Sequence, residues 1–281
     1  MSQFFDELDS IELLEKHADE ARRLEEEQAL RLLSSYSRVA AELRRRLAEL
    51  PSESFSAQQS RVVLLQLEGA IIALRARLRG DTTAGAEALA RLGLVHLSGE
   101  IDAMSRHFAG TSTPINLDVN LYAGQYAERR VNMYEASINT YSNQLRMQIA
   151  MGLEASVIAK DSPEVIIRKL TGFFEGEEWR LRRIVRTELM GIYSGAKIPA
   201  MLDIRNKQMP SLKKTLYHPI DRRTSDDSMW LVEHPLVAEV DRPFQYEWPL
   251  GSGKIRTYMN PPDRPNDRSI LIPFSSDWLQ N

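Results

Sequence analysis

The residue types best suited to chemistry gather in the segment HPIDRRTSDD. His218, Asp221, Asp226 and Asp227 bring one imidazole and three carboxylates into a short stretch, a donor set able to hold a divalent cation and activate water for phosphodiester hydrolysis. The same residues also suit a plain loop, because Asp and Ser accept backbone donors locally. Asp221 with Arg223, and Asp226 or Asp227 with Arg222, can equally form structural ion pairs. Two weaker clusters follow. Glu233 and His234 adjoin Pro235 with no nucleophile motif beside them, and GSGK, residues 251–254, lacks the spacing and the following Ser or Thr of a phosphate loop and reads as a hairpin turn.

Other candidates are more diffuse. His96 and His107 are too far apart for two ligands one helical turn apart and read as structural or surface histidines. Arg75, Arg77 and Arg79 suit the negative end of a helix ending near Gly80. The absence of cysteine excludes disulfides, thiolate metal sites and cysteine nucleophiles. A net charge of -3 does not announce nucleic acid by charge alone. The opening MSQFFDELDS is acidic, and no apolar run approaches the roughly 20 residues of a membrane span, so a soluble protein made in the cytoplasm is expected.

These residues need elements to position them. Residues 4–50 contain neither Pro nor Gly and are rich in Leu, Ala, Glu and Arg, which predicts one long helix. Its apolar stripe is interrupted at Glu25 and Gln28, so it reads either as a two-stranded coiled coil or as a helix laid along its own bundle. A second helix is predicted from Ser56 to Gly80, a third from Thr83 to Phe108, a loop over 109–120, a fourth helix over 121–159, and a short one starting at Ser162 and Pro163 and ending near Gly172. Residues 179–196, WRLRRIVRTELMGIYSGA, form a further amphipathic helix with apolar Leu181, Ile184, Val185, Leu189, Ile192 and Tyr193 and polar Arg182, Arg183, Arg186 and Glu188. It reads as a junction between a helical front and a compact tail. Beyond Lys197 ten prolines divide the chain into short pieces, with strands expected at 211–217, 230–232, 244–248 and 270–274.

The order of the later segments, RRIVRTELMGIYSGAK, KKTLYHPIDRRTSDDSMWLVEHPLV, RPFQY and NPPDRPNDRSILIPF, resembles the Mu F-like minor head (head morphogenesis) proteins of tailed bacteriophages. The resemblance covers roughly the last hundred residues. It places the helix motif on Arg186, Thr187 and Glu188, the loop motif on Asp221, Arg223 and Thr224, the following aromatic on Phe244, and the closing segment between Pro262 and Pro273. The chain departs from the pattern in two places: Ser228 stands where many members have His, and Asn266, Asp267, Arg268 and Ser269 stand where many have Asn-Cys-Arg-Cys.

The resulting expectation is an α+β protein. A predominantly helical, elongated region at 1–160 precedes a small mixed α/β, proline-rich domain at 161–281, with the junction helix at 179–196 and a mixed region at 197–281. The resemblance implies a structural, non-enzymatic virion component that acts in head morphogenesis inside the capsid near the portal, in several copies per particle. Portal protein and major capsid or scaffolding protein would be its partners, with packaged double-stranded DNA as a further contact and no membrane. Arg186, Thr187, Glu188, Asp221, Arg223 and Thr224 would hold the architecture, and no cofactor or metal is expected. Arg180, Arg182, Arg183, Lys213 and Lys214 are the candidate DNA contacts, or else pair with Glu175, Glu177 and Glu178. The competing reading is a metal-dependent nuclease or hydrolase on His218, Asp221, Asp226 and Asp227.

Overall fold

The computed structural model describes residues 12–49, 56–219, 224, 226–262, 267 and 269–279. The chain is 72% helical and 9% strand, so the fold is mostly α with a small antiparallel β region, an α+β protein as the sequence leads one to expect. Helix α1 (Glu12–Ala48) buries Leu14, Ala18, Ala21, Ala29, Leu33, Tyr36, Ala40 and Leu47 at helical spacing. Glu25 and Gln28 do not break this stripe; both lie within it, buried. The stripe is therefore covered by the chain's own elements, as in a bundle.

Helix α2 (Ala57–Ala109) opens with a reciprocal cap. Gln59 N donates to Ser56 Oγ at 3.2 Å, and Ser56 N donates to the Gln59 side chain at 2.7 Å, which satisfies two otherwise orphaned donors. The break expected between Gly80 and Thr83 does not occur. A Cβ at Gly80 would meet nothing, and Thr83 Oγ1 bonds back to the Arg79 carbonyl at 2.9 Å. The glycine therefore carries only its propensity penalty of about 1 kcal/mol, which a long packed helix sustains. Arg75, Arg77 and Arg79 consequently lie mid-helix, away from any helix end, and the dipole explanation for them fails.

After the loop at 110–118, Asp118 caps α3 (Val119–Ala159) by accepting from Leu121 N at 3.0 Å. That helix closes with Lys160 at φ 54° and with bonds from Asp161 N to Ser156 O and from Lys160 N to Val157 O, a Schellman arrangement that satisfies its last carbonyls. Helix α4 (Pro163–Lys207) then starts behind Ser162 with Pro163 at its first position. It runs through Gly172, Gly176 and Pro199 without ending, so the separate short helix and the junction helix are one element. At Gly172 and Gly176 a Cβ would meet nothing; Pro199 forfeits one backbone bond, to Gly195, in a stretch buried on most sides.

The β region is antiparallel. β1 (Leu212–Tyr217) pairs along its whole length with β5 (Ile270–Ser275), from Leu212 opposite Ser275 to Tyr217 opposite Ile270, and on its other edge with the short β2 (Ala238–Glu239). β3 (Phe244–Glu247) and β4 (Ile255–Tyr258) form a separate hairpin. Its turn contains Gly251 and Gly253 at positive φ, and Trp248 N donates to Lys254 O at 3.0 Å, so GSGK is the turn expected. Pro273 is compatible with β5 because that strand is a sheet edge. One expected strand is instead helical: residues 230–232 fall within α5 (Asp226–Glu233), whose first turn holds Asp226 and Asp227, where carboxylates favour a helix start.

Packing gathers the chain into two compact units, each discontinuous in sequence. Unit 1 comprises Met1–Glu26, Gly85–Arg130 and Arg186–Asn281, and unit 2 comprises Glu27–Ala84 and Val131–Val185. Among the described residues no helix is long and apolar enough to cross a membrane.

Candidate functional site

The densest polar arrangement of unit 1 lies in its interior. On α2, Gly93, His96 and Glu100 follow at spacings of three and four; on α4, Tyr193 and Lys197 are one turn apart; on α1, so are His17 and Glu20. Gly93 makes this possible, because a Cβ there would collide with the Tyr193 backbone carbonyl and hold the helices apart. Lys197, with no solvent exposure, donates to both oxygens of Glu100, equally buried, at 2.7 and 2.9 Å, and to the Leu271 carbonyl of β5 at 2.8 Å. Its ammonium also lies 4.8 Å from the Tyr193 ring centroid.

His17 and His96 stack face to face, with centroids 3.6 Å apart and planes 3° from parallel. His17 Nδ1 lies 3.3 Å from Glu100 Oε1. His96 bonds through Nε2 to Glu20 at 3.0 Å and through Nδ1 to the Tyr193 hydroxyl at 2.9 Å. Since the carboxylate only accepts, Nε2 carries a proton, and in the neutral ring that burial favours Nδ1 accepts from Tyr193 O–H. Burial, with His17 and Lys197 nearby, pushes His96 down to about 4 against the opposing pull of Glu100 and Glu20. Burial alone would raise the Glu100 carboxyl, but Lys197 and His17 together outweigh it and hold it below the usual range. Each lysine donor has a partner and none faces solvent, so this network fixes geometry.

The segments that carry the sequence resemblance meet beside it. Asn260 Nδ2 donates to the Gly191 carbonyl at 3.2 Å, Leu271 N lies 3.5 Å from Ser194 Oγ, and β1 pairs with β5. Arg186 turns to α1, with Nε 3.0 Å from Glu25 and Nη2 bonded to Glu26. Thr187 and Thr224 are half-buried, and Glu188, also half-buried, makes no ion pair among the described residues. Asp221 and Arg223 lie outside the described residues.

Of the proposed cation ligands, His218, Asp226 and Asp227 are among the described residues and form no cluster that could hold a metal. His218 Nδ1 bonds to Ser269 Oγ at 2.6 Å, and that hydroxyl also bonds to Asp267. Asp227 is buried against Arg256 at 2.8 Å, whereas Asp226 is exposed. Among the described residues no three His, Asp or Glu side chains are grouped so as to hold a metal. His234 stacks on Trp230 with centroids 4.6 Å apart, and Glu233 is exposed.

Of the five candidate DNA contacts, Arg180, Arg182 and Arg183 belong to unit 2 and Lys213 and Lys214 to unit 1. Arg180 donates to Gln144 at 2.8 Å, Arg183 lies over Trp179 at 4.7 Å, and Arg182 is half-buried. Lys213 pairs with Glu239 at 2.8 Å. Lys214 is fully buried, donates to the Met259 carbonyl at 2.7 Å and sits over Phe244, and burial pulls it down to about 8. It cannot reach a phosphate, and that part of the DNA-binding set is corrected.

His17, Glu100 and Lys197 were not singled out in the sequence, although a signal existed. Each falls on an apolar stripe at helical spacing: His17 between Leu14 and Ala21, Glu100 between Leu97 and Met104, Lys197 between Tyr193 and Ala200. No protein-family model matches the chain, and no curated protein or solved structure matches it either.

Proposed function

We propose that this chain is a structural minor head protein of a tailed bacteriophage, acting in head morphogenesis inside the capsid near the portal rather than as an enzyme. One observation carries the reading: from Arg186 onward the described residues of the segments behind the resemblance belong to one unit, and several of their polar groups are taken up inside it. Lys197 engages Glu100 and Leu271, Asn260 engages Gly191, and Asp227 engages Arg256. Residues used this way hold architecture, which suits assembly. Portal protein, and major capsid or scaffolding protein, are the proposed partners, with packaged DNA a further contact through Arg180, Arg182, Arg183 and Lys213.

The test is co-expression with the portal protein of the same phage, followed by co-purification and by locating the chain in intact particles. A stable portal complex and density inside the head are expected. Divalent-metal-dependent DNA cleavage that is lost in Asp221→Ala, without portal association, would replace this reading with the nuclease.

A further inference from the structure

Helix α2 carries a second apolar line, distinct from its buried one. Val62, Leu65, Gly69, Ile72 and Ala76 succeed one another at spacings of three and four, and all five are exposed, Leu65 at 69% and Ile72 at 61%. Ser60 and Val63, by contrast, are buried. A three-four repeat is the pattern by which one helix seats against another. Beside the line, a groove of about 770 Å³ opens between α2 and α3, lined in part by Leu64, Leu65, Met147 and Ala150. Met151 of α3 is also exposed.

We propose that this face is a homodimer interface, in which α2 packs antiparallel against α2 of a second copy about a twofold axis. Charge selects both the occupant and the direction. In antiparallel pairing, Gly69 layers against Ile72 of the second copy and Leu65 against Ala76, small against large in each layer. That register sets Glu68 beside Arg75 of the second copy, and the symmetry makes the pair twice. Arg75 is available for it: it makes no ion pair among the described residues of its own chain, and the hydrogen bond its guanidinium makes there is from Nη2 to Asn143. Glu68 is half-exposed and already meets Arg146 at 2.8 Å, which leaves its second oxygen for the new pair. Parallel pairing would instead set Glu68 against Ala73 and Arg75 against Gly80, with no charge match.

The seam spans roughly 20 Å of helix at about 1.5 Å per residue, so a dimer of micromolar affinity is expected, smaller than an obligate interface. This inference is independent of the phage reading, since it concerns the full chain alone in solution.

The experiment is sedimentation equilibrium of the full chain over micromolar concentrations. Wild type should populate a dimer. Leu65→Glu/Ile72→Glu should be monomeric with unchanged circular dichroism, because both side chains are exposed in the single chain. Glu68→Arg should weaken the dimer about tenfold, since it sets like charges together twice, and Glu68→Arg/Arg75→Glu should restore it. Spin labels on Arg61→Cys should lie about 30 Å apart, the antiparallel helical separation. A wild-type chain that stays monomeric, a dimer indifferent to Leu65→Glu/Ile72→Glu, failure of the charge swap to restore, or labels in close contact as a parallel pair requires would each overturn the proposal.

Discussion

The two units handle polarity in opposite ways. Every described buried side chain that carries a charge or an imidazole belongs to unit 1: His17, Glu25, His96, Glu100, Lys197, Lys214, His218 and Asp227. The described buried polar side chains of unit 2 are uncharged: the hydroxyls of Ser60, Thr82, Ser142 and Ser156, the phenols of Tyr36 and Tyr141 and the amide of Gln28. Outside, the contrast reverses, for among the described residues eight of the fourteen large exposed apolar side chains lie in unit 2. Buried charges tolerate few arrangements, because a partner displaced by an ångström leaves a desolvated ion. Apolar contacts tolerate many, so unit 1 is specified from within while unit 2 keeps apolar surface for association.

The strongest way to break this contrast is Glu100→Ala. It leaves Lys197 buried beside a single carbonyl, and urea unfolding should show a loss of about 3–5 kcal/mol. Glu100→Met/Lys197→Met removes both charges and should recover most of that loss; an equal loss in the double variant would mean the pair matters only through its volume.

A smaller effect should appear on acidification. An unfolded histidine titrates near its ordinary 6.5, whereas folded His96 titrates at about 4. Between these values the unfolded chain binds more protons, so stability is fully present above about pH 6.5 and declines as pH falls toward 4, by roughly 3 kcal/mol. Chemical denaturation at stepped pH should show this decline in wild type and a flatter profile in His96→Gln, whose amide can keep one of the two bonds.

Two glycine substitutions sharpen the comparison further. Gly93→Ala in unit 1 forces a methyl into the Tyr193 carbonyl and should destabilise by about 2 kcal/mol. Gly80→Ala in unit 2 meets open space and should stabilise by up to about 1 kcal/mol. Thermal melts should move in opposite directions for the two.

The pattern of these effects matches what sequence could and could not reveal. Strands β1, β3 and β5 and the hairpin turn were legible because proline and glycine bound short β-rich runs there. The helix joins at Gly80, Gly172 and Gly176 were not, since a glycine's local preference is weak and its surroundings decide the outcome. The stretch at 230–232 looked like a strand on its aromatic and branched residues, yet Asp226 and Asp227 started a helix first. The α4 face was read correctly at Leu181, Val185, Leu189, Ile192 and Tyr193, all buried, but the reading stopped before Lys197, one turn on. A lysine on an apolar stripe looks like a solvated exception until its carboxylate, 97 residues away, is known to face it.

That ammonium also imposes an order on biosynthesis. Its acceptors come from two places, both oxygens of Glu100 on α2 and the Leu271 carbonyl on β5, and Leu271 leaves the ribosome well after Glu100 and Lys197. Until it arrives, the lysine has an unfilled donor and every reason to stay hydrated. Strand β5 therefore acts as the seal that lets this interior dry out, and a chain cut before Ile270 should leave Lys197 open to amine-labelling reagents that the uncut chain excludes.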